Sequence, residues 1–292
     1  MLARKVTELG RRYLPAPLKR LARAAFTRKL APAAPGARAG IVEDLCFWMA
    51  DANVDTVLPL QNYFSVLYPE LATATRGTLA LYDHAGRALG RHPFELPAHG
   101  LVKLRVRDLL ARSGARAAEG YGTLLCDIEM PDAVRATLDP AERFFFWDRF
   151  YIAYEPRGGM PCFVHGVDKT YVADAFSGVM TPFYPPGSRY TWVPEIPVDL
   201  TAYARFSVVV VNRTAAPAAL TLTVTDGADA SRVWDATVAA LGAHRFVLRP
   251  DDLGAAVDPR DLRLRLDGIP TRWGRPVVFK EFRHGAISAM HC

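Results

Sequence analysis

From Ile41 onward apolar and polar residues alternate with a period of two, and before it they do not. Thr78-Leu-Ala-Leu-Tyr82, Leu101-Val-Lys-Leu-Arg-Val106, Leu220-Thr-Leu-Thr-Val-Thr225 and Leu262-Arg-Leu-Arg-Leu266 each alternate. That period predicts strands with one wet face. Ser207-Val-Val-Val-Val211 is a continuous β-branched run and predicts a buried central strand. Asp83-His-Ala-Gly86 and Asp226-Gly227 lie between alternating runs and read as hairpin turns.

The segment before Ile41 has a helical period. Leu2, Val6, Leu9 and Tyr13 share one face, and Leu18, Leu21, Ala22, Ala25, Phe26 and Leu30 share another after Pro15-Ala16-Pro17. Two short amphipathic helices are expected, then a Pro-rich linker to Gly40. Ten Lys/Arg and one acid, Glu8, fall in residues 1–40, so this leader carries +9 of a chain total of +6. The remaining residues are net −3. The expected role of residues 1–30 is docking on an anionic membrane surface or a protein partner. Few aromatic residues accompany the basic ones, so nucleic acid is not expected as a partner.

Several segments match across the chain. Thr78–Arg87 lines up with Thr221–Ala230, Phe64–Val66 with Phe206–Val208, Trp48–Asp51 with Tyr171–Asp174, and Gly159–His165 with Gly285–His291. The matches predict an internal duplication. The expected fold is all-β, with two tandem antiparallel β-sandwich modules behind the helical leader. Its domains would be 1–40, 41–165 and 166–292. The pattern around Val210-Val-Asn212, Leu220–Gly227 and Arg275–Phe282 resembles the sensory rhodopsin transducer family, a small cytoplasmic β-sandwich. The resemblance implies one such immunoglobulin-like module per half, acting by binding small ligands or partners, and it carries over no catalytic residue.

Candidate chemistry is sparse. There is no phosphate-binding glycine loop, nucleophile elbow or H-E-x-x-H motif. Cys46, Cys126, Cys162 and Cys292 form no C-x-x-C pair and read as free thiols of a reducing, cytoplasmic setting. No run of 18 apolar residues predicts a membrane span. His165 and His291 end matching segments, which makes them candidate ligands for a divalent metal. The unmatched stretch 183–192 offers Tyr184, Arg189, Tyr190 and Trp192 for a ligand, with Trp147 and Arg149 of a second unmatched stretch facing them. The leading expectation is a non-enzymatic protein that binds a glycan, a small anion or a protein partner and uses no cofactor. The alternatives are a metal-dependent enzyme acting on a carbohydrate or related metabolite, and a structural subunit that forms homo-oligomers.

Overall fold

The structure, a computed structural model, describes residues 40–138, 151–165, 168–169, 189–270 and 275–291. The expected basic leader therefore lies outside the described residues. The first half supplies β1 (Ile41–Met49), β2 (Val54–Gln61), β3 (Thr75–Asp83), β4 (Ala88–Leu96), β5 (Leu101–Arg105), β6 (Tyr121–Glu129), β7 (Tyr151–Pro156), β8 (Cys162–His165) and β9 (Asp168–Lys169). The second supplies β10 (Tyr190–Trp192), β11 (Tyr203–Val211), β12 (Ala218–Thr225), β13 (Ser231–Val238), β14 (Ala243–Leu248), β15 (Arg263–Ile269), β16 (Val277–Phe282) and β17 (Ile287–His291). Three short helices punctuate them: α1 (Tyr63–Leu67), α2 (Val106–Ser113) and α3 (Asp132–Thr137).

The strands form four antiparallel sheets. Sheet I runs β4-β3-β6-β1-β9 and sheet II runs β5-β2-β7-β8. Sheet III runs β14-β11-β16-β17 and sheet IV runs β10-β15-β12-β13. The strand orders of III and IV parallel those of II and I. The residue matches behind the expected duplication do not all survive. Phe64 and Ser65 lie in α1, which starts because the Asn62 side chain accepts the Ser65 N–H, whereas Phe206 and Ser207 lie in β11. The match to residues 171–174 falls outside the described residues.

The expected architecture of two tandem β-sandwiches from an internal duplication is corrected. Four small sheets stand in a ring resembling a four-bladed propeller. The physical reason lies in sheet III, which is buried on both faces. Val209, Val211, Val277 and Phe279 join the same core as Leu45, Phe47 and Tyr154 of the first half. Their neighbours Phe206, Val208, Val210 and Val278 join a second core with Leu220, Leu222 and Leu264. Alternation along β11 thus feeds two cores, one built of second-half residues and one that the first half completes only with sheet III.

The seam between the halves is specific. Phe279 packs edge-on to Tyr154, with ring centroids 4.7 Å apart, and lies 5.5 Å from Phe47. Tyr154 donates its hydroxyl to the Phe47 carbonyl at 2.9 Å. The His84 carbonyl accepts the Ala243 N–H at 3.0 Å, and Thr123 donates its hydroxyl to the Leu241 carbonyl. Gly86 and Gly242 sit where these turns meet, and a Cβ on either would strike the opposing backbone. At the centre, Arg213 Nη2 lies 2.6 Å from Glu43 Oε2, with both side chains buried. Breaking a buried ion pair by deleting one member costs about 3–5 kcal/mol, because the other charge stays desolvated. Urea unfolding of Glu43→Ala is expected to show a loss of that size; a loss under about 1 kcal/mol would contradict the seam's burial.

A second prediction concerns acid. Burial pushes the His244 imidazole below its ordinary pKa, and the nearby His84 adds to this. Tyr121 packs on His84 at 5.7 Å, Phe246 packs on His244 at 4.5 Å, and the partly buried Arg245 guanidinium is close to Tyr121. The unfolded chain therefore binds a proton that the folded one resists. Stability is expected to fall as pH drops below about 6.5, where an unfolded histidine begins to protonate. His244→Phe should flatten that part of the melting-temperature profile; an unchanged slope would assign it elsewhere.

Candidate functional site

Sheet II carries at one end a concave site, a cleft of about 470 Å³. It is bounded by Asn53, Asp55, Arg105, Arg107, Glu155 and Arg157. These come from the β1–β2 turn, the β5–α2 junction and the end of β7. The turn forms because the Asp51 carboxylate accepts the Asn53 and Val54 N–H groups at 2.7 and 2.9 Å. Arg157 N–H donates to the Asn53 carbonyl at 2.7 Å and fixes the far wall.

Register then sets the charges. Asp55 lies directly opposite Glu155 across β2 and β7, a like-charge pair that needs cations. Arg105 supplies them, with Nη1 at 3.6 Å from Asp55 and Nη2 at 2.6 Å from Glu155. Lys103 Nζ reaches Glu155 at 3.1 Å. Burial works to raise the Glu155 carboxyl, but hydrogen bonds from Lys103 and Arg105 hold it below the usual range. At Asp55 burial wins and the carboxyl is raised, although the Arg107 N–H and the charges of Arg107 and Arg105 oppose it.

Arg107 and Arg157 are different. Both are exposed, and among the described residues neither makes an ion pair. The Arg107 guanidinium donates to main-chain oxygens, Asp51 at 2.7 Å and Val54 at 3.4 Å, which aim it without neutralising it. Three cations (Arg105, Arg107, Arg157) line the cleft against two carboxylates (Asp55, Glu155), leaving one positive charge, and Lys103 reaches Glu155 from outside it. The arrangement attracts anions, and its guanidinium forks suit carboxylate or phosphate oxygens.

The residues singled out from sequence lie elsewhere. Tyr184, Trp147 and Arg149 fall outside the described residues. Arg189 is exposed at the start of β10, and Tyr190 is half-buried. Trp192 is only 7% exposed and belongs to the second core, so it is a packing residue and not a stacking platform. The aromatic face that suggested carbohydrate binding is therefore absent among the described residues. His165 ends β8 opposite Tyr151, four residues along β7 from Glu155, or about 13 Å. His291 ends β17 in sheet III. The two histidines are on different sheets, and no group of three His, Cys, Asp or Glu converges on a point among the described residues. Among the same residues no helix is long and apolar enough to cross a membrane.

Sequence reading missed the cleft because its arginines are spread from 105 to 157 and belong to no motif. The one local signal is the Arg105-Val-Arg107 alternation leading into a helix, which sets two cations beside a buried valine.

No family model and no curated protein matches this chain. Solved structures give only remote likenesses. A β-glucuronidase of Bacteroides uniformis is 12% identical, covers 91% of this chain and 27% of its own, and has a TM-score of 0.19. A putative β-galactosidase of Bacteroides fragilis is 9% identical over 91% of this chain and 34% of its own, at 0.17. Vicilin of Capsicum annuum is 10% identical over 84% and 76%, at 0.15. The chain spans about a third or less of the two glycosidase chains. Likenesses this remote carry no argument about fold or function.

The packing role of Trp192 has a direct test. Trp192→Ala is expected to cost about 3–5 kcal/mol of stability, as large-to-small core changes do, measured by chemical denaturation. An unchanged midpoint would return the side chain to the surface.

Proposed function

We propose that this protein is a non-enzymatic binding protein for a small anion, held in the sheet II cleft. The observation that carries the reading is the pair of exposed guanidinium groups, Arg107 and Arg157, at a net positive cleft whose carboxylates are already engaged. An incoming carboxylate or phosphate would meet donors aimed at it by main-chain bonds, with little reorganisation. Asp55 and Glu155 would keep Arg105 in place and set the limits of the site. The reading needs no cofactor. The site offers an activated nucleophile to none of its neighbours, and its acids are ion-paired, which favours binding over catalysis.

The test is isothermal titration of the full chain with citrate and with inorganic phosphate at low salt. Saturable binding is expected for at least one. Arg107→Ala and Arg157→Ala should each weaken it about tenfold or more, since a charge-assisted hydrogen bond contributes about 1.5–3 kcal/mol. Added salt should weaken it further. Binding by neither anion, or binding indifferent to both substitutions, would remove the proposal.

A further inference from the structure

The four sheets have unequal edges. β4, at the edge of sheet I, carries Pro93 and is crossed by α2, whose Ser113 Oγ lies 3.0 Å from His92 Nε2. Both features block pairing with another strand. β13, at the edge of sheet IV, has neither. It is eight residues long, Ser231-Arg-Val-Trp-Asp-Ala-Thr-Val238, with no proline and no lysine. Among the described residues its neighbour on the sheet is β12 alone.

The hydrogen-bond parity of this edge can be read from the hairpin. Asp226 N–H donates to the Ala230 carbonyl at 3.0 Å and closes the turn. Bonds alternate from there along an antiparallel pair. Arg232, Trp234 and Ala236 therefore bond to β12, opposite Val224, Leu222 and Leu220. Ser231, Val233, Asp235 and Thr237 turn their N–H and C=O groups outward. All four are exposed, and Val233 is 50% exposed.

We infer that β13 is an interface between two copies of this chain, which pair antiparallel through their β13 strands about a two-fold axis at Val233. The argument for a second copy over another peptide is the self-complementarity of the strand. A two-fold at Val233 sets it against the partner's Val233. The Ser231 hydroxyl then faces the partner's Asp235 carboxylate, and Arg232 faces the partner's Trp234. Arg232 already lies over the Trp234 ring of its own chain at 5.9 Å, so the same cation–π contact is available across the axis. No like charges oppose one another. The three outward residues of each strand fall in hydrogen-bonded positions, giving about six main-chain bonds. The axis is perpendicular to the sheet, so the apolar faces of both sheets remain on one side. Sheet IV would become one continuous eight-stranded sheet, and Val233 would lose its exposure.

Sedimentation velocity of the full chain through the micromolar range is expected to show a dimer. Val233→Pro removes an outward N–H that β12 does not use, so it should give a monomer; Val233→Lys, which leaves the backbone intact, should do the same with an unchanged far-ultraviolet circular dichroism spectrum, its melting temperature lowered only by the lost association. Val233→Cys should form a reducible cross-linked dimer under mild oxidation, because paired Cα atoms about 5.5 Å apart suit a disulfide. Ser231→Cys should not, since its mate lies opposite residue 235. A wild-type monomer throughout that range would overturn the inference. So would a dimer that survives Val233→Lys, or one that cross-links through Ser231→Cys and not Val233→Cys.

Discussion

Glu43 and Asp127 are directly opposite on β1 and β6, and both are buried. Two carboxylates so placed repel one another and have lost their water. They are tolerable because cations reach them from outside β1 and β6. Arg91 of β4 approaches Asp127 at 3.9 Å, and Arg213, from the far half of the chain, meets Glu43 at 2.6 Å. The second half therefore completes the charge balance of the first. Arg213 follows β11 immediately, so the strand that shares the core also delivers the guanidinium. Apolar burial supplies most of the attraction at the seam, and this pair fixes where the halves meet.

With the seam fixed, the remaining geometry follows. Sheet III is packed on both faces and has no freedom to shift. Sheet II meets it through Tyr154 and Phe279, while the far end of sheet II opens to solvent as the arginine cleft. Ala153 and Val57 of sheet II are also buried. The cleft thus rests on buried strands, with the exposed Arg107 and Arg157 at its rim. Under the proposed reading, an anion would meet a pre-organised site that needs no closing movement.

Much of the secondary structure was legible in the sequence. The alternation of Leu220–Thr225 marks β12, the Asp83–Gly86 signal marks a hairpin, and the valine run of β11 marks a strand without a wet face. What period cannot state is which sheet a strand joins. The run Val208–Val211 shows burial on two sides, yet nothing local says that the two sides belong to different cores. The same gap misplaced Trp192. In sequence it stands among prolines and tyrosines, but β10 adds to the edge of β15 and turns the indole inward. The cleft was invisible for a related reason: Asp55 and Glu155 are a hundred residues apart and become partners only through register. His165 and His291 matched in sequence, and they end β8 and β17, strands of two different sheets.

The contact of Phe279 with Tyr154 and Phe47 also bears on how the protein is made. Tyr154, the later of the two first-half partners, emerges from the ribosome 125 residues ahead of Phe279. At synthesis rates of about 5–20 residues per second, the aromatic surface around Tyr154 waits roughly 6–25 s for its cover. During that interval the nascent chain displays apolar rings, and Arg213 has yet to reach Glu43. The rings invite a chaperone's grip until sheet III covers them.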